Sequence, residues 1–208
     1  MNKITVIGAG AWGTALAQTA SKNVDSVTIW VREPELVAAI NEQHRNTLYL
    51  PDVLLSEKIT ATNDLNACLD DAEAVLLTVP AQFLRSTCKQ LRAVWKQGLP
   101  AVVCAKGIEQ KTGALMSEML AETLPQAPLA LLSGPTFAEE VALEKPTLVT
   151  LACADRELGK KLVETLGTST FRPYYTPDIV SVQIGGAVKN VMAIAAGIVA
   201  GKKLGDNA

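Results

Sequence analysis

Short apolar runs alternate with longer stretches of mixed polarity along most of the chain. The runs at 4–7, 74–79, 101–104 and 129–132 are dominated by Val, Ile, Leu and Ala, which is typical of strands that are buried on both faces of a sheet. Stretches between them that lack proline and glycine, such as 81–94, predict helices. The alternation predicts an α/β fold, a doubly wound and mostly parallel sheet with right-handed crossovers.

The same pattern continues to the end of the chain. After Pro177 it predicts one long helical segment. The other predicted elements are helices over 34–45, 63–69 and 156–166 and strands over 58–61, 145–152 and 168–174.

A glycine-rich turn directly follows the first predicted strand and opens a helix. In the spacing G-x-G-x-x-G, Gly8 permits a tight turn, Gly10 lets phosphates approach the backbone, and Gly13 lets the helix lie close to the strand. The strand, the helix and a second strand at 27–31 stand where a dinucleotide-binding motif requires them. The motif therefore predicts a Rossmann-like fold with a pyrophosphate at the helix N-terminus. The alternative is an ordinary tight turn between a strand and a helix.

The end of the second strand bears on which cofactor binds. An acidic group at this place binds the ribose 2′-hydroxyl of NAD, whereas an arginine accommodates the 2′-phosphate of NADP. Arg32 and Glu33 both lie there. Because the Arg32 guanidinium can bind a phosphate and stack on adenine, we favour NADP without excluding NAD. The alternative is a solvated charge pair in a loop.

Candidate substrate groups follow two of the other buried strands, at the edge where doubly wound sheets bind ligands. Lys106 can supply a positive charge or a proton to an oxygen. Gly134 and Thr136 precede a new helix whose free amides and hydroxyl can hold a polar substrate group. The alternatives are a solvated lysine at position 106 and, for Thr136, a capping box with Glu139.

Two adjacent glycines inside the long C-terminal helix point to a further site. Gly185 and Gly186 would each cost about 1 kcal/mol relative to alanine in a helix, and both lie one turn before Lys189 on the same face. Lys189 would then extend over a surface without side chains, and burial beside Val188 and Met192 would help it to act as a general acid or base. The alternative is a close helix-packing seam with a snorkelling or paired lysine.

Composition narrows the possible chemistry. With 208 residues, 49% hydrophobic, 19% charged and a net charge of −2, the chain is globular and gives no electrostatic case for nucleic acid or an anionic membrane. Its four cysteines are widely spaced and its one histidine, His44, is isolated. We therefore expect no metal site, buried reduced thiols, and a surface position for His44.

Two apolar runs near the ends of the chain could be a signal peptide or a membrane-spanning segment. The glycine turn interrupts the N-terminal apolar run, so it is not a signal peptide. The late apolar run 191–200 is too short to span a bilayer. We expect a soluble cytoplasmic protein.

Four segments in this order, 6–17, 105–109, 132–140 and 185–194, resemble the bacterial NAD(P)-dependent glycerol-3-phosphate dehydrogenases. The resemblance extends through essentially the whole chain. It implies an oxidoreductase that transfers a hydride reversibly between NAD(P)H and dihydroxyacetone phosphate, giving sn-glycerol 3-phosphate for phospholipid synthesis.

The resemblance also implies roles for individual residues. It makes Lys189 the proton donor or acceptor at the carbonyl oxygen, and Lys106 a contact of both the substrate and the cofactor. The other implied contacts are Gly134 and Thr136 for the substrate and Gly8, Gly10, Ala11, Trp12, Gly13, Arg32 and Ala138 for the cofactor.

Members of that family continue into a helical substrate domain, whereas this sequence ends at Ala208. We expect a dinucleotide-binding domain over 1–176, followed over 177–208 by the first helix of a truncated all-α domain. Such a chain should keep cofactor affinity but little turnover, and a homodimer is possible. The competing interpretations are a non-catalytic nucleotide-binding module and a dehydrogenase of another hydroxy acid or sugar phosphate.

Overall fold

The computed structural model describes residues 1–205. In this part of the chain the strands are β1 (Lys3–Ile7), β2 (Ser26–Trp30), β3 (Ile59–Thr62), β4 (Ala74–Leu77), β5 (Ala101–Val103), β6 (Leu129–Ser133), β7 (Thr147–Cys153) and β8 (Phe171–Thr176). The helices are α1 (Ala11–Ala20), α2 (Pro34–Gln43), α3 (Ala81–Leu91), α4 (Met116–Thr123), α5 (Ala138–Ala142), α6 (Arg156–Leu166) and α7 (Ile179–Lys202).

All of these strands belong to one sheet in the order β3-β2-β1-β4-β5-β6-β7-β8. Every neighbouring pair is parallel except β6 and β7, which are antiparallel. The predicted Rossmann-like, doubly wound and mostly parallel sheet is confirmed. Strand order reverses between β1 and β4, so a crevice for a ligand opens beyond their carboxyl ends.

The central strands are buried on both faces, as their continuous apolar runs predicted. In β4, Val75 and Leu77 face one hydrophobic core, and Ala74 and Leu76 face the other. All four side chains are fully buried. This two-sided burial holds the carboxyl ends of the parallel strands together at one edge.

Two local features differ from the predictions. The helix predicted over 63–69 is only one 3-10 turn, Ala67–Leu69, because the Asp64 carboxylate accepts the backbone N–H groups of Asn66 and Ala67 and forms a local turn. Helix α4 was not predicted. It buries Met116, Met119 and Leu120 in the core and contacts α3.

Helix α7 is anchored through its first turns. The Asp178 carboxylate accepts the N–H of Ser181 at the helix start. Further along, Gln183 is buried, accepts the N–H of Ser117 at 2.9 Å, and donates to the Ser117 hydroxyl at 2.8 Å. This pair joins α7 to α4.

The rest of α7 is apolar and exposed. Over 18 of its 24 residues the helix has a mean hydropathy of 1.6. The run 191–200 is therefore only part of a longer apolar helix, which begins at Ile179. By length and composition α7 passes as a spanning helix. This is weak evidence, because core helices of water-soluble proteins pass the same test.

The glycine turn brings α1 against the end of β1. Gly8 has φ +114°, a conformation that favours glycine, and a Cβ on Gly13 would lie 1.9 Å from the Gly8 carbonyl oxygen. The Thr78 hydroxyl lies 2.9 Å from the Ile7 carbonyl oxygen and 2.8 Å from that of Gly8. The residue that follows β4 therefore holds the turn through two of its backbone carbonyl oxygens.

Replacing Gly13 by Ala should lower the free energy of unfolding, because the new methyl group cannot fit unless the backbone moves. Overpacking of this kind costs about 1–3 kcal/mol, measured as a lower urea midpoint at constant slope. Gly10→Ala is the matched control: a Cβ there would meet no atom within 4 Å, so its stability should stay within about 0.5 kcal/mol. Equal midpoints for the two variants would contradict the close approach.

Candidate active site

Two clefts meet at Lys106 on the carboxyl edge of the sheet. The first, of about 340 Å³, lies beyond β1, β4 and β5, and the second, of about 270 Å³, lies between β6 and α7. Lys106 lines both. The first is also lined by Trp12, Thr78, Val79, Pro80, Ala81, Cys104, Ala105, Thr136 and Ala138. The second is also lined by Ser133, Gly134, Pro135, Thr150, Ser181, Val182, Gly185, Gly186 and Lys189.

The glycine turn and the first cleft fit a dinucleotide. Helix α1 begins at Ala11, directly after Gly10, and no side chain caps its first N–H groups, which leaves them available to an anion. The space that a Cβ on Gly10 would enter is open. The Trp12 indole Nε1 is buried and has no partner among residues 1–205, and an orphaned buried donor of this kind indicates a group that the protein alone does not supply.

The structure places Arg32 and Glu33 beyond β2, next to the glycine turn. The two side chains form an ion pair, with Arg32 Nη2 2.6 Å from Glu33 Oε1. The hydrogen bond that Arg32 donates to Glu33 and the negative charge of Glu33 raise the pKa of Arg32. The charge pair that the sequence analysis gave as the alternative is therefore present. It lies where the adenosine ribose of a dinucleotide binds in this fold.

Lys106 is held across the junction of the clefts. Its Nζ donates to the Gly134 carbonyl oxygen at 2.6 Å. Its pKa lies below its ordinary value, first because the ammonium is partly withdrawn from solvent and second because Lys189 is positively charged nearby. A lysine bonded to a neutral carbonyl keeps its charge uncompensated, and its remaining N–H groups can bind an anionic ligand.

Sequence reasoning missed the contacts that hold the Lys106 loop. Arg85 binds both carboxylate oxygens of Glu109, at 2.7 and 2.9 Å, and lowers the pKa of Glu109 to about 2. One turn earlier on α3, Gln82 donates to the Ile108 carbonyl at 2.9 Å. The bidentate pair joins residues 24 positions apart, so no local pattern could have indicated it.

Sequence reasoning also missed Asn46, which supports the glycine turn from α2's side. Its fully buried Nδ2 donates to the Ala9 carbonyl and to the Thr14 hydroxyl, both at 2.8 Å. Its Oδ1 accepts the N–H of Tyr49 at 3.1 Å. Asn46 thus ties the loop after α2 to the glycine turn and to α1.

The two residues predicted together after β6 separate in the structure. Gly134 lines the second cleft, whereas Thr136 lines the first, together with Ala138. The alternative capping box of Thr136 with Glu139 is wrong, because the helix N-cap is Phe137 and no side chain caps it. Thr136 is therefore free of a capping role.

Lys189 lies on the far wall of the second cleft, with its Nζ 5.9 Å from the centre of the Phe137 ring. The predicted burial beside Val188 and Met192 is wrong: these side chains are 38% and 63% exposed. The reason is that α7 packs on the sheet only through its first turns. Lys189 itself is exposed.

The adjacent glycines of α7 have different surroundings. A Cβ on Gly186 would lie 2.8 Å from the Ser133 hydroxyl oxygen, whereas one on Gly185 would meet nothing within 4 Å. At Gly186 the structure therefore agrees with the alternative interpretation, a close packing contact of the helix. Gly185 lines the open cleft that leads to Lys189.

The cysteines and His44 are the remaining residues that the sequence analysis considered. The four cysteines are buried and free, as expected, and residues 1–205 contain no cluster of three or more metal-ligating side chains. His44 is partly buried rather than fully on the surface, because it ends α2 with φ +50° and its carbonyl accepts the N–H of Leu55.

Two family profiles match the chain. The profile described as NAD-dependent glycerol-3-phosphate dehydrogenase N-terminus matches residues 3–159, and the corresponding C-terminus profile matches residues 178–208. The predicted domain division at 176/177 itself stays a prediction.

Curated relatives and solved structures carry the same description. The glycerol-3-phosphate dehydrogenases [NAD(P)+] of Paramagnetospirillum magneticum and Rhodospirillum rubrum are 58% and 56% identical over all 208 residues, and the chain spans 75% and 60% of their lengths. The glycerol-3-phosphate dehydrogenase structure from Coxiella burnetii is 34% identical with a TM-score of 0.89, covering 99% of this chain and 63% of that one. The structure from Saccharomyces cerevisiae is 32% identical with a TM-score of 0.90, covering 99% and 65%.

The similarity therefore covers both the sequence and the fold of this chain. The chain is a member of the NAD-dependent glycerol-3-phosphate dehydrogenase family.

Proposed function

We propose that this chain binds NADP or NAD and carries part of the active site that reduces dihydroxyacetone phosphate to sn-glycerol 3-phosphate. One observation carries the proposal: Lys106 lines both the cleft beside the glycine turn and the cleft beside Lys189. A cofactor and a small substrate in these clefts would meet at Lys106. The names of the relatives support this choice of substrate and cofactor.

The two lysines have complementary roles in the proposed reaction. The bound nicotinamide supplies the hydride to the substrate carbonyl carbon in the reducing direction. Lys189 gives a proton to the carbonyl oxygen as the alcohol forms, and takes it back in the reverse direction. Lys106 stabilises the negative charge that develops on that oxygen and attracts the anionic substrate.

The cofactor and substrate contacts follow from the clefts. The backbone N–H groups of Gly10 and Ala11, at the start of α1, bind the pyrophosphate. Arg32 binds the 2′-phosphate of NADP and so favours NADP over NAD. Gly134 and Thr136 stay predicted substrate contacts. Trp12 and Ala138 line the first cleft and stay predicted cofactor contacts.

Three further expectations belong to the same proposal. The product serves glycerophospholipid synthesis, the protein works in the cytoplasm, and it can form a homodimer.

In residues 1–205 the far wall of the second cleft is α7 and Lys189 is exposed. We therefore expect residues 1–208 alone to retain some cofactor affinity and to show little turnover.

The first test is a single-turnover assay with the protein in excess over NADPH or NADH, followed by nicotinamide fluorescence. Dihydroxyacetone phosphate should be reduced faster than keto acids and other sugar phosphates. Lys189→Met should slow this step by about 10²–10⁴-fold without changing cofactor affinity. Lys161→Met, a matched exposed lysine on α6, should leave the rate unchanged.

Two outcomes would contradict the assignment. Normal cofactor binding with no reduction of any substrate would favour a non-catalytic nucleotide-binding module. Reduction of a different hydroxy-acid or sugar-phosphate precursor in preference to dihydroxyacetone phosphate would identify another dehydrogenase.

The second test follows from the lowered pKa of Lys106. Affinity for NADPH should fall as pH rises, because loss of the proton removes the positive charge. The fall should begin below the pH at which an ordinary lysine, with pKa 10.5, would lose its charge. Lys106→Arg keeps the charge and should move the fall to higher pH in a fluorescence titration. Identical pH profiles for both proteins would exclude Lys106 as the cofactor contact.

A further inference from the structure

One carboxylate oxygen organises the end of β2. Glu33 Oε1 accepts two hydrogen bonds from Arg32, from Nη2 at 2.6 Å and from Nε at 3.1 Å. The Tyr49 hydroxyl donates to the same oxygen at 3.3 Å. Three donors therefore converge on one atom, and none of these contacts occupies Oε2.

The two partners of this ion pair differ in their exposure to solvent. The side chain of Glu33 is 18% exposed, whereas that of Arg32 is 76% exposed. Glu33 is the N-cap residue of α2 and is followed by Pro34, which fixes the local backbone. Burial alone would raise the pKa of Glu33, but the hydrogen bond and the charge of Arg32 lower it overall, so the carboxylate is ionised at neutral pH.

The pair lies beside the phosphate-binding turn. The Gly8 N–H donates to the Trp30 carbonyl at 3.2 Å, and Arg32 follows Trp30 by two residues. At this position of a doubly wound sheet, a carboxylate accepts the ribose 2′-hydroxyl, whereas a 2′-phosphate requires a cation. A 2′-phosphate here would meet the exposed guanidinium of Arg32 and the more buried carboxylate of Glu33 together.

We propose that Glu33, positioned by Tyr49, is the residue that limits preference for the 2′-phosphate and keeps the site able to use both cofactors. Its carboxylate competes with the phosphate for Arg32 and repels the phosphate directly. The same carboxylate is free at Oε2 to accept a ribose hydroxyl. This inference rests on the proposed dinucleotide site and adds the residues that set its specificity.

The test uses adenosine nucleotides without nicotinamide, so it is independent of catalysis. Calorimetric titration of residues 1–208 with adenosine 2′,5′-bisphosphate and with adenosine 5′-monophosphate gives the ratio of their affinities. Glu33→Gln should raise this ratio in favour of the bisphosphate by about two- to fivefold, the size of one surface charge interaction. Tyr49→Phe should shift the ratio in the same direction by less, because the carboxylate keeps its charge but loses one restraint.

Glu35→Gln is the matched control. It removes one negative charge from an exposed residue in the first turn of α2 and should leave the ratio unchanged. Thermal unfolding of each variant shows whether it is folded, and if Glu33→Gln does not fold, the Tyr49→Phe shift decides.

The possible failures are distinguishable. An unchanged ratio in Glu33→Gln, or in Tyr49→Phe where that variant decides, would overturn this inference and leave the dinucleotide site intact. An equal shift in Glu35→Gln would also overturn it, since net charge alone would then explain the effect. Failure of the unsubstituted chain to bind either nucleotide would overturn the proposed function and this inference with it.

Discussion

The contact between Gly13 and the Gly8 carbonyl is the constraint on which the rest of the site depends. Because no side chain separates them, α1 starts directly over the end of β1, and its free N–H groups face the crevice between β1 and β4. Thr78 and Asn46 then fix the turn from two sides through backbone carbonyl oxygens. A wider turn would move these free N–H groups away from the end of β1.

The charge arrangement around Lys106 suits an anionic substrate. Its hydrogen bond goes to a neutral carbonyl, and within residues 1–205 neither Lys106 nor Lys189 forms a salt bridge. The nearby carboxylate of Glu109 is instead bound by Arg85. The loop is thus held by one ion pair while the two lysines stay available to a phosphate or a developing alkoxide.

The fold and much of the site could be predicted from the sequence because their signals are local. Buried parallel strands are continuous apolar runs, and the glycine turn has a fixed spacing. The pairs Arg85–Glu109, Asn46–Ala9 and Gln183–Ser117 could not be predicted, because their partners are 24, 37 and 66 residues apart. The burial of Lys189 was wrongly predicted for a related reason: apolar neighbours in a helix show which faces are apolar and not what covers them.

Helix α7 shows how the two lysines differ physically. Its first turns lie on the sheet through Gln183 and Gly186, whereas Val191 and Ile194 are each 65% exposed. A helix that is apolar on all sides is normally surrounded by other apolar groups. The sheet and its loops therefore tune Lys106 by withdrawing it from solvent, but they do not desolvate Lys189. Desolvation of Lys189 would therefore require a bound ligand or apolar groups packed against the exposed side of α7.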